Sequence, residues 1–234
     1  MTVAAVVLAA STESALADAE GLPRVRRLAD IAWSGGAVPI VVVAPENDGT
    51  VATALAGAPV VLAEPAPLAG GPVAQICRGI DVAADAVRDT DAALIWPARL
   101  IWVGPETVTS LIEAHGTDPA SLLRPGFDGV AGWPALLPLA NLARFRALGA
   151  ERMPDELVAD LVAAGIQEHV LDLGDPGAIY DADTPLADLP PYAGPSGPPG
   201  GHTHEWGAEV ADQPDEVPLE GPALAPFEPA ASGD

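Results

Sequence analysis

Val3-Ala4-Ala5-Val6-Val7-Leu8-Ala9-Ala10-Ser11 is an unbroken apolar run that ends in a small polar residue. A short, continuous, β-branched run of this kind reads as a parallel strand buried on both faces, and not as an alternating surface strand. A strand that empties into a small-residue turn is also the usual entrance to a phosphate-binding loop, which wants glycine where this chain has Ser11. Downstream, apolar runs alternate with helical periodicity. Leu22 to Trp33 reads as a helix with Val25, Leu28, Ala29 and Ala32 on one face, ended by Gly35-Gly36. Val38 to Ala44, Pro59 to Ala63, Ala92 to Trp96 and His169 to Leu173 read as strands. Val51 to Leu55, Val73 to Val87, Pro105 to His115, Asn141 to Leu148 and Asp155 to Ala164 read as helices, and Phe127 to Leu137 as an irregular hairpin. Strands alternating with helices through right-handed crossovers predict an α/β fold: a three-layer, Rossmann-like, mostly parallel sheet.

The 234 residues suffice for one such domain, residues 1–189, and a tail. From Pro190 on there are ten prolines, seven glycines and eight acids with no arginine or lysine, a composition expected to be disordered because it buries too little apolar surface to offset chain entropy. The whole chain carries 33 acids against 10 basic residues, all arginine, for a net charge of −23. Such a surface repels polyphosphate, so nucleic acid and anionic membranes are excluded as partners. Cys77 is the only cysteine, which rules out an intrachain disulfide and a thiolate cluster and suits the cytoplasm. The N-terminal segment has no basic region of the signal-peptide type, and no apolar run approaches the ~20 residues of a membrane span.

Four stretches, taken in order, resemble the MobA-like nucleotidyltransferases, the family of the molybdopterin guanylyl- and cytidylyltransferases. They are Val6-Val7-Leu8-Ala9-Ala10; Leu94 to Val108, with Val103-Gly104-Pro105-Glu106-Thr107-Val108 at a helix start; Gly129-Val130-Ala131-Gly132-Trp133-Pro134-Ala135-Leu136-Leu137; and Tyr180-Asp181-Ala182-Asp183-Thr184-Pro185. The resemblance implies a nucleotide held over the carboxyl ends of the strands, near Ala9, Ala10 and Ser11 and near the Gly70-Gly71 turn, with Mg²⁺ as cofactor if the chain is active. The departures from the family pattern fall on the chemistry. Ser11, Glu13, Ala15 and Ala17 stand where the family places its loop glycines, serine and arginine. Arg24, in Gly21-Leu22-Pro23-Arg24, stands in for the family's lysine. Counting back from Pro105, the family's metal-binding aspartate falls at Arg99.

Asp181 and Asp183 remain as the metal candidates. Two apart on an extended segment, they would turn their carboxylates to one side; the alternative is an Asx-type turn. Three functional expectations of different kinds follow. One is an eroded site, a pseudoenzyme that binds a nucleotide-like ligand or a protein partner. Another is an active, Mg²⁺-dependent nucleotidyltransferase with Arg24, Arg99 and Asp183 as its altered catalytic set. A third is an interaction module acting through the tail, where His202-Thr203-His204-Glu205 lacks a scaffold for a metal.

Overall fold

In the computed structural model, residues 2–46 and 48–194 are described; the proposed tail, with His202 and His204, lies outside them from residue 195 on. The opening run forms β1 (Thr2–Leu8), whose Ala4 to Val7 are fully buried. It is followed by α1 (Thr12–Leu16), a two-residue ribbon of β2 (Asp18–Ala19) and β3 (Leu22–Pro23), α2 (Arg24–Ser34) and β4 (Ile40–Val43). Then come α3 (Thr50–Ala54), β5 (Val60–Ala63), α4 (Gly71–Ala86), β6 (Thr90–Pro97) and α5 (Pro105–Thr117). The remaining elements are β7 (Leu122–Phe127), β8 (Val130–Ala131), β9 (Ala135–Pro138), α6 (Leu142–Arg146), α7 (Pro154–Ala163) and β10 (Glu168–Asp172).

The main sheet runs β10-β7-β9-β6-β1-β4-β5, with β8 paired to β7. β1, β4, β5 and β6 are parallel; β9 runs antiparallel between β6 and β7. Helices cover both faces, with α4 packed on β1 and β4 from one side and α2 from the other. The three-layer, mostly parallel sheet is therefore as the alternation of runs predicts. With aromatics at only 4% of the chain, aliphatic residues fill the core. Trp96, Trp133 and Phe145 are the aromatic members of the core among the described residues; Trp96 is fully buried, and its indole N–H donates to the Leu100 carbonyl at 2.9 Å.

Two readings of local structure need correction. Leu22-Pro23 does not begin the second helix but pairs with Asp18-Ala19, because Glu20 (φ 58°) and Gly21 (φ 83°) make the tight two-residue turn that a hairpin requires. The helix starts at Arg24. Leu122–Phe127 is a sheet strand that the periodicity did not isolate, since Pro125 and Gly126 interrupt its apolar pattern.

The carboxyl ends of β1, β4, β5 and β6 lie level along one edge. Leu8 pairs with Val43 and Pro97, and Val43 pairs with Ala63. The chain builds outward from β1 to β5, then returns to place β6 on the other side of β1. That reversal opens the crevice in which α/β sheets hold ligands.

Candidate active site

The crevice between β1 and β6 is walled by the loop after Leu8 and by Ala98-Arg99-Leu100-Ile101. The first wall is closed in on itself. Ser11 is the N-cap of α1, its hydroxyl accepting the Ser14 N–H at 3.0 Å, and the Thr12 hydroxyl donates to the Pro45 carbonyl at 3.0 Å. A phosphate loop needs backbone N–H groups left for the ligand, and here the capping hydroxyl takes one of them. Ala9 is buried, while Ala10, Ser11 and Glu13 are exposed. The carboxylate of Glu13 thus lies in the same turn a phosphate would approach.

The second wall is organised by a strap, residues 173–184, that leaves the end of β10 and crosses the carboxyl edge to Arg99. The Leu173 N–H donates to the Gly126 carbonyl (3.2 Å), and the Trp133 N–H donates to the Ala178 carbonyl (2.8 Å). Asp175 is 2% exposed and accepts three hydrogen bonds: the Gly104 N–H at 2.9 Å, the Thr107 hydroxyl at 2.6 Å and the Gly177 N–H at 2.8 Å. It thereby stands at the N-terminus of α5, where the helix dipole favours a negative charge. The Trp102 indole N–H donates to the carbonyls of Asp181 and Thr184, both at 3.0 Å, and the Arg27 guanidinium lies 5.3 Å above that ring. Arg27 Nε also donates to the Ile101 carbonyl at 3.0 Å. Finally the Ala182 N–H donates to the Arg99 carbonyl at 2.8 Å.

The strap brings Arg99 and Asp181 together, with Nη1 3.6 Å from Oδ2. Asp181 and Asp183 are not on an extended segment. Asp181 Oδ1 accepts the Asp183 N–H at 3.0 Å and the Thr184 N–H donates to the Asp181 carbonyl at 3.0 Å, so the Asx turn forms and the carboxylates are not paired on one side.

A magnesium site needs several hard oxygens converging with room for water. One Asp181 oxygen closes a turn and the other faces a guanidinium. Among the described residues, no three His, Cys, Asp or Glu side chains gather closely enough to hold a metal ion. The donor set does not fit Mg²⁺.

The remaining candidates disperse. Arg24 is the first residue of α2; its backbone N–H donates to the Ala17 carbonyl, and its Nε is buried with no hydrogen-bond partner. Gly70 and Gly71 precede and open α4, but Gly71 (φ 59°) faces chain and not open space, because a Cβ there would overlap the Ala150 carbonyl. Gly71→Ala is accordingly expected to destabilise the fold by about 2 kcal/mol or more through overlap and the left-handed backbone, read as a lower thermal midpoint. A glycine kept for ligand approach would leave the midpoint unchanged. Trp133 is 5% exposed; its indole N–H donates to Asp155 at 2.8 Å beneath the Arg124 guanidinium, so it packs as core and offers no stacking face to the crevice.

Asp175 and Arg27 are the organising residues that the sequence reading missed. Asp175 sits in Gly174-Asp175-Pro176-Gly177, a turn signal that marks a loop without saying what its carboxylate caps.

Comparison with known proteins agrees with the geometry. The model of the MobA-like NTP transferase domain matches residues 10–168. A nucleotidyl transferase from Methanothermobacter superposes with a TM-score of 0.60 at 18% identity, over 73% of this chain and 87% of its own. Rv0371c from Mycobacterium tuberculosis, solved with manganese, gives 0.55 at 19% over 74% and 89%. A CMP:2-keto-3-deoxy-manno-octonic acid synthetase solved with CTP gives 0.55 at 15% over 74% and 90%. At these identities the likeness is one of fold. No curated protein sequence matches the chain.

Proposed function

The chain belongs to the MobA-like NTP transferase domain family, and from that premise we propose that it is a pseudoenzyme. Its crevice binds a nucleotide-like anion without a divalent metal and without nucleotidyl transfer. The observation that carries this reading is the Arg99–Asp181 pair at the carboxyl end of β6. By the resemblance, position 99 is where the family holds a metal-binding aspartate. Nucleotidyl transfer depends on neutralising the charge that develops on the leaving pyrophosphate. A guanidinium supplies one positive charge where a divalent ion would supply two, and it offers no open coordination position for phosphate oxygens. Ser11 capping its own helix and Glu13 beside it weaken the phosphate grip further. A nucleotide is the favoured ligand class because a structural relative was solved with CTP. The reading includes a compact domain with an acidic tail and a cytoplasmic location, which the single cysteine suits. Among the described residues no helix is long and apolar enough to cross a membrane.

Calorimetric titration of GTP, CTP and ATP into the full chain, with and without Mg²⁺, tests the reading. The expected result is binding of one nucleotide whose dissociation constant changes by less than about twofold with Mg²⁺, a fraction of the ~1.4 kcal/mol that a tenfold change represents, and no pyrophosphate release. Magnesium-dependent binding with pyrophosphate released would overturn it in favour of an active transferase using Arg24, Arg99 and Asp183. No binding of any nucleotide would overturn the ligand and leave a protein partner as the occupant.

A further inference from the structure

The contact between Arg99 and Asp181 joins one fixed partner to one free one. On the strap, Asp181 is held at three points. Its Oδ1 accepts the Asp183 N–H at 3.0 Å and its carbonyl accepts the Trp102 indole N–H at 3.0 Å. The Ala182 N–H beside it donates to the Arg99 carbonyl at 2.8 Å. Backbone geometry therefore sets the carboxylate in place, and only Oδ2 is left for Arg99.

The guanidinium is held far less. The Arg99 side chain is 53% exposed, and Nη1 stands 3.6 Å from Oδ2. That separation exceeds the about 2.7–2.9 Å of a charge-assisted hydrogen bond, and a single approach lacks the two-pronged fit of a strong arginine–carboxylate pair. Among the described residues the guanidinium makes no hydrogen bond, so its N–H donors stay open to another acceptor. An exposed pair of this kind contributes little, because water screens it and two side chains must be held in one geometry.

A polyphosphate competes well against such a partner. It carries more negative charge than one carboxylate, and its oxygens have the spacing that the planar guanidinium matches in pairs. Arginine, on a flexible stem, is the part that moves. The carboxylate, tied into its turn, cannot follow.

We propose that the Asp181 carboxylate is a built-in competitor for the ligand of the crevice: it holds Arg99 when no ligand is bound, and a nucleotide binds by drawing the guanidinium away from it. This regulation rests on the reading of the crevice as a site for a nucleotide-like anion. Its two states are the guanidinium on Asp181 and the guanidinium on the polyphosphate. The strap thus lowers the affinity of the crevice by the strength of one ion pair.

The test is calorimetric titration of GTP, CTP and ATP, without Mg²⁺, into the full chain and its Asp181→Asn variant. Asparagine keeps an oxygen for the Asp183 N–H, and with it the turn, while removing the charge that holds Arg99. The nucleotide is expected to bind this variant about fivefold more tightly, the upper end of what an exposed pair is worth. Asp188→Asn, an exposed position with the same change in net charge, is expected to gain less than about 1.5-fold, because solvent screens a charge that touches neither partner. The Arg99 Nε–H resonance, identified by its loss in Arg99→Lys, follows the guanidinium itself. It is expected to move in Asp181→Asn, and to move in the unaltered chain when nucleotide is added.

Equal gains in Asp181→Asn and Asp188→Asn would overturn the proposal, since the general acidity of the surface would then set the affinity. A gain confined to Asp181→Asn with an Arg99 resonance that nucleotide leaves unmoved would also overturn it, the carboxylate then merely repelling the ligand. Binding to the unaltered chain with no gain in Asp181→Asn would overturn it and leave the nucleotide reading standing. Binding to neither would overturn both. Should Asp181→Asn fail to fold, the Arg99 resonance of the unaltered chain decides, moving with nucleotide if the proposal holds and staying fixed if it does not.

Discussion

Replacing Arg99 with aspartate is expected to create a divalent-metal site at the carboxyl end of β6, where among the described residues no three metal-ligating side chains gather. The backbones at 99 and 182 are hydrogen-bonded to each other, so a carboxylate at 99 emerges beside that of Asp181. The substitution removes a positive charge and adds a negative one within reach of a bound ion. In a half-exposed site this amounts to about 2–3 kcal/mol after solvent screening, or roughly a hundredfold in affinity. Mn²⁺ titration followed by electron paramagnetic resonance measures it directly. Arg88→Asp, an exposed position with the same change in net charge, controls for general attraction of the ion to an acidic protein. Equal Mn²⁺ affinity in the two variants would mean that position 99 is not oriented as a ligand. A site confined to Arg99→Asp would show that the scaffold for metal persists and that one side chain blocks it. Pyrophosphate release by the same variant with NTP would extend that result to chemistry. Its absence is the expected outcome, because Ser11 and Glu13 are unchanged.

Asp175→Ala is expected to be the most destabilising single change in the strap. Among the described residues the carboxylate has no cationic partner, and it is held by three donors and the α5 dipole. Its removal leaves the Gly104 N–H, the Thr107 hydroxyl and the Gly177 N–H without an acceptor. At about 1–3 kcal/mol for each unsatisfied group, offset by the desolvation of a carboxylate no longer needed, the net loss is about 3 kcal/mol. For a domain of this size that corresponds to a fall in thermal midpoint of about 6–12 °C. Asp175→Asn keeps an acceptor oxygen and is expected to lose about half as much. The strap should loosen with it, because Asp175 is its anchor to the head of α5. Release of Trp102 from the Asp181 and Thr184 carbonyls should then shift tryptophan emission to the red. A midpoint within one degree of the unaltered chain would show that the three donors find water instead.

Arg99 and Asp175 belong to one device. Asp175 fixes the strap, and the strap delivers Asp181 to Arg99. Nothing in the spacing of Asp175, Trp102 and Arg99 along the chain announces that they act together, since 71 residues separate Asp175 from Gly104.

The α/β class, the parallel order near β1 and the helices over both faces were legible from residue pattern, because period-2, period-3.6 and continuous apolar runs are local consequences of which face is buried. Local signals failed where partners came from far away. Gly71 looked like a ligand turn, but the Ala150 carbonyl occupies the space beside it. Nothing in Gly132-Trp133-Pro134 says that Asp155 and Arg124 meet the Trp133 indole, which is 5% exposed. The same sequence Asp181-Ala182-Asp183 serves equally for an extended metal clamp and an Asx turn. The strap's hydrogen bonds to Arg99 and Trp102 chose the turn. Sequence determined which elements form, because burial pattern is written residue by residue. Tertiary structure alone decided what each polar group faces, because a hydrogen bond or an ion pair is a property of two distant segments brought within about 3 Å.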